Sequence, residues 1–253
     1  MRTRYERAVK KPTVTIVFIH GIASSYAAWR KTVNEVAKHP DFKSARLIGL
    51  DLIGFGKNRK TNCFHYDYEN YTKSLRHTLK KLRIKTPLVL AGHSMGCLIS
   101  ADYTTKHPEN IQALVMVSPP FLKPNELRTL PDKFYQKGFT KLKNHSENPL
   151  VTTVSGIISK ISTLESRSFK TIAFKQCLEN IILDNDNWRR ISQLKTPTYI
   201  IHGRLDPLVS GSNLKNLATK NEHINLTKTI ASHDIAGTKR RHVITALKHA
   251  ITP

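Results

Sequence analysis

Ser94 lies in Gly92-His93-Ser94-Met95-Gly96, a G-x-S-x-G pattern that follows the apolar run 88–91 and precedes a helix-forming stretch, 97–106. Strand, tight turn and helix are the context in which such a serine is held in a strained turn with its hydroxyl thrust above a sheet edge. Glycine on both flanks, Gly92 and Gly96, lets strand and helix approach without Cβ clashes. A serine hydroxyl is a poor nucleophile until an imidazole takes its proton and a carboxylate fixes that imidazole's tautomer. Downstream, Gly203-Arg204-Leu205-Asp206 offers the carboxylate and Ser232-His233-Asp234-Ile235 the imidazole. The chain order Ser94, Asp206, His233 is that of a nucleophile-elbow fold. Asp51 and Asp102 compete by residue type only. Asp51 reads better as a cap on the turn with Gly54 and Gly56, Asp102 falls mid-helix, and Asp234 reads as a helix N-cap.

These residues must be carried by elements, and the apolar patterning supplies them. Runs at 13–19, 45–50, 87–91, 111–117, 197–202 and 224–230 are short, β-branched and mostly continuous, as parallel strands buried on both faces are. Between them, Trp29, Val33, Val36 and Ala37, then Tyr71, Leu75, Leu79 and Leu82, and finally Val243, Leu247, Ala250 and Ile251 recur at helical spacing. Alternation of this kind predicts an α/β fold with helices on both faces of a parallel sheet. From 118 to 195 no strand is evident, and prolines at 119, 120, 124, 131 and 149 punctuate mostly helical pieces, which predicts a helical insertion.

With these residues in place the sequence resembles the α/β-hydrolase superfamily over residues 14–251, interrupted by the insertion. His20-Gly21-Ile22 is similar to the family's oxyanion segment, Asp51-Leu52-Ile53-Gly54-Phe55-Gly56 to its D-x-x-G-F-G turn, and 202–209 and 232–235 to its acid and histidine loops. The resemblance implies a mostly parallel central sheet flanked by helices, with residues 1–118 and 196–253 as the core and 119–195 as a helical cap. It also implies a Ser94-His233-Asp206 triad without metal or organic cofactor. A developing oxyanion needs preorganised N–H donors, expected from Met95 at a helix start and from Ile22, with Ala23 as the lesser candidate. The chain departs from the family in places. Only 12 residues precede the first predicted strand, too few for the usual N-terminal hairpin, so a shortened sheet or a single extra edge strand is expected. Cys97 and Asn58 replace a frequent Gly and Ser.

The implied activity is hydrolysis of an ester or related acyl substrate, with Phe121, Phe134, Phe139 and Phe174 suggesting an apolar acyl site or else cap core. Similar motifs serve C–C bond hydrolases, thioesterases and haloperoxidase-like proteins, and a non-catalytic receptor for a small ligand is the rival from another class. Composition bounds the rest. The 253 residues carry a formal charge of +23, yet 39% are hydrophobic, which excludes a disordered basic chain. The charge is spread along the chain without a basic-aromatic stripe, so it reads as a solvated surface and specific nucleic-acid binding is not expected, with weak association with anionic surfaces left open. Lys239-Arg240-Arg241 reads as a coat on the last helix. His20, His93, His202 and His233 all fall at predicted strand ends but lack metal-ligand spacing. Three cysteines, Cys63, Cys97 and Cys177, without a paired framework point to a reducing, cytoplasmic setting. The apolar stretch 14–23 is interrupted by Thr15, His20 and Gly21, against a leader peptide.

Overall fold

The computed structural model describes residues 1–58, 64–121, 171–184, 186–206 and 208–252. The six apolar runs form strands within a residue or two of their predicted bounds: β2 (Val14–Ile19), β3 (Ala45–Asp51), β4 (Leu88–His93), β5 (Ile111–Val117), β6 (Thr198–Gly203) and β7 (Ile224–Thr229). Every residue of β2 and β4 is buried, because helices cover both faces. A further strand, β1 (Arg2–Arg7), pairs antiparallel with β3 and closes one edge, which is the single extra edge strand of the two alternatives expected. The seven-stranded order is β1-β3-β2-β4-β5-β6-β7, parallel except for β1.

β1 is polar because an edge strand needs no apolar face, and its charges tie it down. Arg4 Nε reaches the buried Asp51 carboxylate at 3.1 Å. Arg7 donates to the carbonyls of Ala37 and Ala45 at 2.6 and 2.7 Å. Arg46 on β3 pairs with Glu6 at 2.6 Å.

Alternate residues of β2 divide the core into two layers. Ile16 and Phe18 pack with Trp29, with Val33 and Val36 of α1 (Arg30–Lys38), and with Val243, Leu247 and Ala250 of the last helix. Val17 and Ile19 face the opposite layer, built from Tyr71, Leu75 and Leu79 of α2 (Tyr68–Lys81), the buried helix α3 (Met95–Lys106), and α6 (Gly211–Lys220). The last helix is α7 (Thr238–Ile251). Each such apolar side chain contributes about 1.5–3 kcal/mol on burial, so the two layers fix the sheet that carries the loops.

The described part of the insertion is helical: α4 (Thr171–Cys177), a π-helical turn at Leu178–Ile182, and α5 (Asn187–Ser192). Ile172 is 63% exposed, whereas Ala173, Phe174 and Cys177 are buried. Arg190 anchors α5: it pairs with Asp184 at 2.6 Å and Asp102 at 3.4 Å and lies over the Tyr68 ring at 4.4 Å. Residues 122–170, with Phe134 and Phe139, and the segment containing Cys63 lie outside the described residues, as does most of the expected cap.

Candidate active site

The strand order reverses between β2 and β4, and the loops leaving their C-terminal ends meet at that point, where open α/β sheets bind ligands. β4 passes into α3 through one residue, Ser94, at φ 51° and ψ −122°. A non-glycine residue there costs about 1–3 kcal/mol, so neighbours must hold it. Its N–H donates to the Val117 carbonyl and its carbonyl accepts the Cys97 N–H, both at 2.9 Å. The flanking glycines answer to close approach: a Cβ on Gly92 would sit 2.6 Å from the Cys97 nitrogen, and one on Gly96 2.4 Å from the Ile19 oxygen.

Asp206 follows β6, and His233 lies in the loop between β7 and α7. The His233 Nδ1–H donates to the Asp206 carboxylate, with oxygens at 2.9 and 3.0 Å. That leaves Nε2 as the ring nitrogen not engaged by Asp206. Asp206 Oδ1 also accepts the Leu208 N–H at 2.9 Å. Burial pushes the Asp206 carboxyl upward, but His233, the Leu208 amide and the Lys239 ammonium outweigh it and hold it at about 2.

The segment after β2 lies against Ser94. A Cβ on Gly21 would stand 3.0 Å from Ser94 Cβ. His20 orients this segment as a neutral imidazole, donating Nδ1–H to the Gly21 carbonyl at 2.7 Å and accepting the Leu52 N–H on Nε2 at 2.9 Å. Burial lowers its pKa despite nearby Asp51. Asp51 accepts the Tyr26 and Lys57 amides at 2.8 and 2.9 Å, so its work is structural. Asp102, fully buried in α3, is engaged with Thr72 at 2.6 Å and Lys106 at 2.8 Å. Asp234 does not cap a helix: Gly237, at φ 59°, takes that position, and Asp234 accepts instead from Ser232 Oγ at 3.0 Å.

Ser94, His93 and His233 line one cavity with Gly21 and Ile22; its lining also includes the apolar Phe174, Leu178, Ile182 and Leu208 and the charged Arg30, Lys31, Asp234 and Arg240. Met95 opens α3 and is fully buried. Phe121 is buried in the core, bringing one of the expected acyl-site phenylalanines outside the cavity wall.

Three residues escaped the sequence reading. His93 donates Nε2–H to the His233 carbonyl at 3.0 Å, and its pKa falls to about 3 through burial and the neighbouring His233. Lys239, read as a surface coat, is fully buried and donates to Ser118 Oγ at 2.8 Å and to the Ser232 carbonyl. Ser118, the third, directly follows β5 at φ 51°. Among the described residues no group of three or more His, Cys, Asp or Glu side chains could hold a metal ion, and no helix is long and apolar enough to cross a membrane.

The chain is similar to known proteins in sequence and in fold. A probable lysophospholipase, BODYGUARD 4 of Arabidopsis thaliana, is 32% identical over 120 residues, 47% of this chain and 28% of that protein. The segment matched is thus about a quarter of the length of that protein and of its homologues BODYGUARD 2 and 1. YisY of Bacillus subtilis, an AB hydrolase superfamily protein, is 25% identical over 80% of this chain and 78% of its own. Among solved structures, an esterase from Exiguobacterium antarcticum superposes with a TM-score of 0.76 at 17% identity, covering 98% of this chain and 94% of that one. The family model for the alpha/beta hydrolase fold matches residues 14–176, from β2 through the elbow to α4. On that match, and on a sheet ordered and covered as described, the chain belongs to the alpha/beta hydrolase fold family.

Proposed function

We propose that this protein is a serine hydrolase that cleaves an ester or related acyl substrate through an acyl-enzyme, without metal or organic cofactor. The observation that carries the reading is the His233 Nδ1–Asp206 hydrogen bond of 2.9 Å beside the cavity that holds the strained Ser94. In the first half-reaction His233 Nε2 takes the Ser94 hydroxyl proton as Oγ bonds to the acyl carbon, and then returns it to the departing alkoxide as the C–O bond breaks. The ring cation formed between these steps is stabilised by the Asp206 carboxylate. Met95 and Ile22 amides receive the oxyanion, a contribution of about 3 kcal/mol for each donor in comparable sites. Water deprotonated by His233 then attacks the acyl carbon, the bond from that carbon to Oγ breaks to release the acid, and His233 returns the proton to Ser94 Oγ. The free thiols of Cys97 and Cys177 support a cytoplasmic setting. The experiment is labelling with a fluorophosphonate beside turnover of a short-chain ester panel. Ser94→Ala is expected to lose both, and undiminished labelling of the variant would remove the assignment.

A second reading narrows the ester to an anionic, single-chain lipid. It is favoured by the relatives named as probable lysophospholipases and by a cavity whose lining combines apolar Phe174, Leu178, Ile182 and Leu208 with the cationic Arg30, Lys31 and Arg240. A formal charge of +23 would also draw the protein to anionic lipid surfaces. Faster hydrolysis of a lysophospholipid with an anionic headgroup than of a neutral monoacyl ester of equal chain length is the expected discriminator.

A further inference from the structure

Lys239 sits where two effects oppose a cation: it is fully buried, and it lies in the first turn of α7, where the helix dipole is positive. Its compensation is specific. The ammonium donates to Ser118 Oγ, 121 residues away at the C-terminal end of β5, at 2.8 Å, and to the carbonyl of Ser232. Ser232 is the residue before His233, and the next carbonyl, that of His233 itself, accepts Nε2–H of His93 at 3.0 Å. The peptide units on both sides of the His233 α-carbon are therefore held, one by an ammonium braced on β5 and one by the residue preceding Ser94. Two carboxylates, Asp206 and Asp234, act on the ammonium favourably, while burial lowers its pKa.

We propose that Lys239 is a positioning residue: its ammonium clamps the histidine loop to the end of β5 through Ser118 Oγ and the Ser232 carbonyl, so that the imidazole of His233 keeps its aim. The clamp acts through His233 and does not touch substrate. It rests on the serine-hydrolase reading for its effect on rate, but not for its effect on the Asp206–His233 hydrogen bond.

The test uses the full chain with ¹⁵N-labelled histidine. Lys239→Met keeps an unbranched apolar stem and removes the charge and both donors. The deshielded Nδ1–H resonance of His233 should shift or broaden, and kcat should fall by about 10- to 100-fold with KM within about twofold, as for a misaimed catalytic group. Ser118→Ala should give a smaller loss of the same kind, and the double variant should be no slower than Lys239→Met alone. A wild-type resonance and kcat in folded Lys239→Met would overturn the proposal, as would single-variant losses that multiply. If Lys239→Met does not fold, Ser118→Ala decides, since an unchanged resonance and kcat there break the clamp at its other end. If the resonance shifts in Lys239→Met while the wild-type chain turns over no ester, the hydrolase reading is refuted and the clamp stands.

Discussion

Gly21→Ala adds one methyl group at the point where the segment after β2 touches Ser94. The new carbon would stand 3.0 Å from Ser94 Cβ, 3.3 Å from His93 Nδ1 and 3.4 Å from the His93 carbonyl oxygen. Carbon atoms in ordinary contact are about 3.5–4.0 Å apart, so an opening of about 0.5–1 Å is required. Ser94 cannot supply it freely: its amide is bonded to Val117, its carbonyl to the Cys97 amide, and its backbone is at φ 51°. His93 is held by the His233 carbonyl. The segment at 20–22 is held in turn by both ring nitrogens of His20. Whichever side yields, either the Ser94 hydroxyl or the Ile22 amide moves relative to the other.

A misplacement of about 1 Å costs on the order of 100-fold in rate, and loss of one oxyanion donor about 100- to 1,000-fold. The expected loss in kcat for Gly21→Ala is therefore about 10- to 100-fold, while overpacking by one methyl group costs about 1–3 kcal/mol of stability. Steady-state kinetics on a short-chain ester, the rate of fluorophosphonate labelling and a thermal melt separate the two effects. A variant that is folded, destabilised by that amount and still within twofold of wild-type kcat would show that the 20–22 segment does not set the geometry at Ser94, and the oxyanion role of Ile22 would fall with it.

Asp206→Asn should leave the fold intact and reduce kcat by about 10⁴-fold, because an amide at the same place no longer enforces the Nδ1–H tautomer; full activity in the folded variant would move the acid elsewhere. His93 has a folded-state pKa of about 3, so between its ordinary value and that point the unfolded chain binds the extra proton, and the stability linked to it is present above about pH 6.5 and lost as pH falls toward 3. Between pH 6.5 and 5 the wild type should lose about 1.6 kcal/mol more than His93→Gln in urea denaturation, and parallel curves would contradict the buried neutral ring. Cys97 and Cys177 are fully buried, with burial raising both thiols, the second to about 12, so peptide mapping after alkylation of the native protein should find both unmodified.

How much of this was open to a reader of the sequence depends on whether the information lies along the chain or across it. Strands covered on both faces are written as uninterrupted apolar runs, and β2 and β4–β6 could be placed from that alone, with Ser94 and Asp206 following at their ends. β1 has no such run, since its neighbour is a single strand and its stabilising contacts are Arg4 to Asp51 and Arg46 to Glu6, pairs 47 and 40 residues apart. Lys239 is the instructive failure. In the run Lys239-Arg240-Arg241 all three residues suggest solvent, yet Arg240 is partly buried against Glu35, Arg241 is exposed and Lys239 is buried. The apolar stripe of α7, Val243, Ala246, Leu247 and Ala250, recurs at intervals of three and four, and one further turn toward the N-terminus lands on Lys239. Periodicity therefore marked this position as inward-facing, and residue type argued against it. When the two disagree at the start of a helix that follows a candidate catalytic histidine, the helical period is the stronger physical signal, because turning one residue outward would rotate the whole stripe off the sheet.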